Sequence, residues 1–367
     1  LFGGVSFSHN KDFINLDGLD VERTNNLSHI KFSTVKDFSE RLSAKTGVEY
    51  FIHDYSELLV EEGLDRSFDE REANVFSEWD WYLSRKFVLR GGLRAGHSQL
   101  AAEQWLDPRM SLAYKISDAG TFSLAAGRFH QLPVDNFRVL DKNLKNVESK
   151  HLILNYLYQK EGRTFRAETF YKSYENLVRF EGIPQAPKNL RNEGSGFAKG
   201  FDVFFRDQKS IKNTDYWITY SFIDSERSFN QFETKVQPDF APKHNFSIVI
   251  KHFVASLKSQ IGTSYSMNDG YTFTDPNLPG EMNSKTSAFQ NLSISWSYLP
   301  RPNLIIHAAV TNVLGTENIF GYSFTQKPNE QGRFESLPIG QPAPRFLFLG
   351  IFFTLSKDKN ANQLNNL

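Results

Sequence analysis

The stretch N-L-S-I-S-W-S-Y-L, residues 291–299, sets Leu292, Ile294, Trp296 and Tyr298 at alternate positions with small polar side chains between them. A strand has period two, so this puts the apolar groups on one face and the hydroxyls on the other. A soluble sandwich and a membrane barrel both use such a strand. The remaining sequence must say which solvent the apolar face meets.

The alternation recurs about sixteen times, centred near residues 5, 32, 48, 77, 91, 112, 126, 154, 170, 203, 219, 248, 264, 293, 307 and 350. Phe246, Ile248 and Ile250 oppose Asn245, Ser247 and Lys251; Phe87, Leu89 and Leu93 oppose Arg90 and Arg94; Val75, Trp79 and Trp81 oppose Glu78 and Asp80. No helical periodicity, low-complexity linker or composition break interrupts the series, so one all-β architecture should account for residues 1–356, with a polar tail at 357–367.

Composition agrees. Aromatic residues make up 14% and Phe alone supplies 34 residues, which favours strands; Cys is absent, which excludes disulfide scaffolds and thiolate metal sites. Lys plus Arg and Asp plus Glu are both 42, so no basic surplus argues for nucleic acid. No apolar run is long enough for a transmembrane helix. Leu1 opens directly on L-F-G-G-V-S-F-S, already a strand, with no initiator Met or signal peptide before it; the chain reads as part of a longer one.

The connections decide the solvent. Short links (K-D-F-S-E-R, S-R-K, S-D-A-G, Q-K-E-G-R, D-Q-K-S-I-K-N, the region around Val254 and Ala255, P-R-P-N) alternate with long ones near 10–27, 56–70, 98–108, 133–147, 181–194, 223–241, 274–286 and 316–341. An up-and-down meander with turns at one rim and loops at the other has this rhythm; a Greek-key sandwich has no reason to keep it. Aromatics also gather toward strand ends (Trp79, Trp81 and Tyr82; Tyr156 and Tyr158; Tyr216 and Trp217; Trp296 and Tyr298), where rings sit between hydrocarbon and headgroups. The expectation is a transmembrane up-and-down antiparallel β-barrel, closed because an open sheet edge cannot be satisfied in lipid.

The segment G-R-F-H-Q-L-P-V-D-N-F (127–137), then H-L-I-L-N-Y-L-Y-Q-K (151–160) and T-F-R-A-E-T-F-Y-K-S-Y-E-N-L-V (164–178), resembles the barrel of TonB-dependent outer-membrane receptors. The resemblance continues in order through N-E-G-S-G-F-A-K-G-F-D-V (192–203), W-I-T-Y-S-F (217–222), A-P-K-H-N-F (241–246), S-Y-S-M-N-D-G-Y-T-F (264–273) and H-A-A-V-T-N-V-L-G (307–315). It implies the last sixteen strands of a 22-stranded barrel in the bacterial outer membrane. The plug and the TonB-binding segment are not among these residues. It also implies TonB-driven uptake of a scarce nutrient such as an iron chelate, cobalamin or glycan, with no enzymatic activity and no cofactor. The implied partners are outer-membrane lipid, the TonB complex, and a surface lipoprotein or other outer-membrane subunits. Two rivals remain open: a complete 16-stranded diffusion porin, and a structural or accessory barrel subunit of an outer-membrane complex.

Catalytic and metal chemistry finds little support. The nine His are scattered without metal-ligand spacing, and His53, His130, His151 and His307 fall at polar-face positions; G-S-G at 194–196 lacks the spacing of a nucleophile elbow. Lys45, Glu49, Glu78, Asp80, Arg90, Arg94, Arg166, Glu168, Asp202 and Arg206 are too many inward charges for a dry core and suit a wet or plugged lumen. By the resemblance, the last strand runs toward the periplasm and the long loops are extracellular. That makes Arg128, His130, Gln131, Trp105, Asn268, Asp269, Tyr271, Tyr322 and Phe324 the expected ligand contacts at the outer rim and loops.

Overall fold

Strands with one apolar face can be stable only if neighbours satisfy their backbone groups and something apolar covers that face. Between neighbouring strands the first requirement is met in the computed structural model, which describes residues 1–16, 19–184 and 186–355. The expected polar tail at 357–367 lies outside the described residues.

Sixteen strands form one antiparallel sheet in chain order. They are β1 (Phe2–Leu16), β2 (Leu19–Ser39), β3 (Leu42–Leu59), β4 (Leu64–Tyr82), β5 (Phe87–Ser98), β6 (Glu103–Lys115), β7 (Gly120–Gln131), β8 (Val147–Lys160), β9 (Arg163–Ile183), β10 (Ala186–Asp207), β11 (Thr214–Ser228), β12 (His244–Val254), β13 (Ser259–Asn268), β16 (Phe289–Arg301), β17 (Leu304–Thr311) and β20 (Phe346–Phe353). Two small hairpins, β14 (Thr272–Phe273) with β15 (Ser284–Lys285) and β18 (Ile319–Phe324) with β19 (Ser336–Gly340), lie within long loops. A single helical turn, α1 (Asp135–Arg138), follows β7.

All sixteen expected strands are present, but four expected long loops are mostly strand. β1 and β2 stay paired from Phe2↔Ser33 to Leu16↔Leu19, β3 and β4 pair out to Leu59↔Leu64, β5 and β6 to Ser98↔Glu103, and β9 and β10 extend to Ile183 and from Ala186. Apolar alternation fades there because polar and charged side chains occupy both faces, yet the backbone ladder continues. Polar pairs across the strands support it, including His9 with Asn26 (2.6 Å), Lys11 with Glu22 (3.1 Å) and Arg23 with Glu57 (2.8 Å).

The described residues pack as two compact units. The first comprises Leu1–Leu154, Phe170–Ala198 and Glu226–Lys235. Register fixes its two faces: Lys45 stands opposite Glu78, Glu49 opposite Lys31, and Asp80 opposite Arg90, so one face is ionic. The other carries Ile30, Phe32, Val48, Val75, Leu93, Leu106 and Met110, all exposed. An apolar surface this continuous marks contact with a nonaqueous partner rather than water.

The second unit comprises Asn155–Thr169, Lys199–Ser225 and Val236 onward. Here Ile218 pairs with Ile248 and Thr263 with Ile294, while Ser264 faces Ser293 and Ser297 faces His307. Within the opening stretch, Ile294 (41%) and Trp296 (42%) are exposed on the apolar face; Ser297 is buried on the polar one, its Oγ 2.8 Å from His307 Nδ1. Trp296 stacks on Tyr298 at 5.9 Å. Trp217 departs from the aromatic-belt expectation. It pairs with Val249 one position out of phase with exposed Ile250, so its ring lies on the polar face, where Arg206 and Lys251 approach it at 5.7 and 5.9 Å.

Candidate functional site

Beyond the ~9–11 residues a strand needs to cross hydrocarbon, counted from the short turn at residues 40–41, β3 carries His53, Tyr55 and Glu57 on its polar face. The segment after β7 folds over them. Its α1 turn, closed by Val139 N–H donating to the Asp135 carbonyl (2.9 Å), presents Asp135 and Arg138 to the sheet. Arg138 Nη2 donates to Glu70, whose carboxylate also accepts from Ser98 Oγ (2.7 Å) and from the Gln99 and Leu100 amides (3.1 and 3.4 Å). The Arg138 guanidinium lies 4.5 Å from the Phe68 ring. Asp135 accepts from Asn25 Nδ2 (3.1 Å) and lies 3.6 Å from His53 Nε2. Tyr55, Phe68 and Val139, with Leu100 and Leu140 against them, fill the space beneath.

Such a cluster is stable only if its buried charges are paired, and here they are. Glu70 is 1% exposed and Arg138 4%. Burial pushes the Tyr55 phenol up to about 12, against the pull of nearby Arg23. Burial also holds His53 below its ordinary value, although Asp135 favours its protonated form.

A second cluster lies beside it in the same unit. His130 Nδ1 is 2.6 Å from Asp107 Oδ1 and its Nε2 3.5 Å from Glu148; Arg128 Nη2 donates to Glu148 at 2.6 Å, and Lys150 links Glu148 (3.2 Å) to Glu175 (3.0 Å). Trp105 packs at 6.3 Å from His130 and lies flat on Gly96, where an added Cβ would stand 2.2 Å from its ring. Of the expected ligand contacts, Trp105, Arg128 and His130 thus come together, already paired; Gln131 is exposed at the end of β7.

The other expected contacts fall in the second unit and knit its loops. Asn268 Nδ2 donates to Tyr271 OH at 2.9 Å, Asp269 pairs with Lys285, Tyr271 packs on Phe320 (5.8 Å), and Tyr322 and Phe324 meet Phe273 at 4.8 and 6.2 Å. On the polar face of that unit, Arg206, Gln208, Asp215, Trp217, Lys251 and Gln260 line a cavity of ≈ 630 Å³.

The expected inward charges pair mainly with one another. Glu49 accepts from Lys31 and Arg94, both at 2.6 Å; Asp80 takes Arg90 at 2.5 and 2.9 Å; Asp215 takes Arg206 at 2.9 and 2.5 Å; Glu168 takes Arg166 at 3.3 Å and Asn155 at 3.1 Å. Lys45 and Glu78 line a separate, smaller cavity in the first unit, beside Glu49 and Arg94, and Asp202 is half-buried. Sequence reasoning missed Glu70, Arg138, Asp107 and Glu148. The i,i+3 pair Asp135 and Arg138 just after Pro133 was a usable signal for the turn; nothing local marks Glu70.

A sixteen-stranded antiparallel meander with an ionic face and an exposed apolar face has the pattern of a transmembrane β-barrel wall. The chain belongs to the family described as TonB dependent receptor-like, beta-barrel, which matches residues 2–313. Among solved structures, it is similar to the ferric yersiniabactin uptake receptor FyuA from Yersinia pestis (TM-score 0.72, 11% identity, over 96% of this chain and 58% of that one). The copper transporter OprC gives a TM-score of 0.71 at 11% identity, over 92% of this chain and 58% of that one. The ferric-catecholate import receptor Fiu from Escherichia coli K12 gives 0.67 at 11% identity, over 92% and 55%. At these identities the likeness is one of fold, and the chain spans little more than half of each receptor. No curated protein matches it by sequence.

Proposed function

We propose that this chain is the lipid-spanning wall of a bacterial outer-membrane receptor that imports a scarce nutrient in a TonB-dependent cycle, with no enzymatic step. The observation that supports it most is the division of faces: exposed apolar side chains such as Val48, Val75 and Leu93 alternate with ion pairs such as Glu49 with Arg94 and Asp80 with Arg90. A strand whose two faces differ in this way suits hydrocarbon outside and water or a plug inside. Solutes would first meet the long-loop end, where the Glu70–Arg138 and His130–Glu148 clusters lie. Outer-membrane lipid, the TonB complex and a surface lipoprotein or other subunit are the partners this reading implies.

The test is uptake by cells carrying the full-length gene. Deletion should abolish energised accumulation of one nutrient among ferric chelates, cobalamin and glycans, and deletion of TonB should do the same. Uptake that survives loss of TonB would favour a diffusion porin, and wild-type uptake of every nutrient after gene deletion would favour an accessory subunit.

A further inference from the structure

On the polar face of the first unit, Lys31, Lys45, Arg94 and Arg109 surround a cavity of ≈ 130 Å³ that contains only two carboxylates, Glu49 and Glu78. Arg109 and Glu78 also line a second cavity, ≈ 200 Å³, together with Phe129 and His151. Resting on the transport reading above, we infer that this trough is an oxyanion site that holds a carboxylate or phosphate group of the solute in passage.

The charges do not cancel. Both oxygens of Glu49 are taken, one by Lys31 and the other by Arg94, each at 2.6 Å. Among the described residues no carboxylate lies within 4.0 Å of Lys45. Arg109 has only Asp107 at 4.0 Å, and that carboxylate is committed to His130 at 2.6 Å. The Arg109 Nε is buried and has no hydrogen-bond partner. A guanidinium and an ammonium facing a shared polar cavity are matched by an oxyanion, which can accept from both.

Local sequence makes the room. Arg109 stands opposite Gly92 on one neighbouring strand and Gly127 on the other. Its stem crosses Gly127, where an added Cβ would come within 3.3 Å of it, and its guanidinium lies 4.5 Å from the Phe129 ring. Phe76 likewise lies across Gly47, with Lys31 Nζ 5.4 Å above the ring. Two rings laid over glycines hold the cations around open space instead of filling it.

Inorganic phosphate and citrate, titrated calorimetrically into the full-length protein in detergent, test the site. Wild type should bind at least one of them, more weakly as salt rises. Lys45→Gln with Arg109→Gln should weaken binding about tenfold or more; Lys45→Arg with Arg109→Lys should restore most of it, and Lys160→Gln at the short-turn end should leave it unchanged. Absence of binding in wild type, or equal binding by the Gln double variant, overturns the inference. If phosphate and citrate do not bind while the Gln double variant is less stable, the cations serve an acidic segment of the protein itself, and the solute site is again overturned. Nutrient uptake is scored separately: uptake without anion binding removes this site but leaves the transport reading, and anion binding without uptake does the reverse.

Discussion

Arg138, on the single turn after β7, donates to Glu70, 68 residues earlier on β4, and both side chains are almost wholly buried. Removing only the arginine strands a carboxylate that Ser98 and two amides cannot neutralise. Arg138→Met should therefore cost about 3–5 kcal/mol and raise amide exchange across residues 134–141. Glu70→Gln with Arg138→Met should cost clearly less than the two single changes added together, as a hydrogen-exchange double-mutant cycle would show.

The same cluster makes the loop sensitive to acid. His53 is held below the ordinary histidine value of 6.5, so between that value and its folded one the unfolded chain binds more protons than the folded chain. Stability then rises with pH through this window and is lost as pH falls below 6.5. Asp135, Asp54 and Glu70 partly offset the penalty and Arg138 adds to it. Exchange rates at residues 134–141, measured while lowering pH from neutrality, should increase in wild type and respond less in His53→Gln.

Gly96 gives Trp105 its seat. An alanine there would place its Cβ 2.2 Å from the indole, so Gly96→Ala should displace the ring toward solvent, at a cost of about 1–3 kcal/mol. A red shift in tryptophan emission that is absent from a Trp105→Phe background would report this. An unchanged emission maximum would mean that the strand yields instead of the ring.

These 367 residues contain no cysteine, so a single-cysteine label has no competitor among them. A spin label at Ile294 in reconstituted membranes should be reached by oxygen and shielded from a water-soluble relaxation agent, and one at Ser295 should show the opposite. Equal accessibility at both sites would contradict a lipid–lumen division across this strand.

Sequence alone was enough for the sixteen strands, their antiparallel order and their two faces, because period-two alternation and the rhythm of link lengths are local properties. Four loops were misread because a β-ribbon with polar side chains on both faces leaves no hydrophobic alternation, only a backbone ladder. Tertiary structure decided the rest. Glu70 with Arg138, and Asp107 with His130, are far apart in the chain and become partners only when the post-β7 segment folds over the sheet and β6 pairs with β7. Trp217 lies between Tyr216 and Ile218, so period two alone sets its ring on the polar face, against the belt expectation. N-L-S-I-S-W-S-Y-L carried its own division into faces, whereas which distant charges meet depends on register and loop docking, where pairing energy outweighs any local preference.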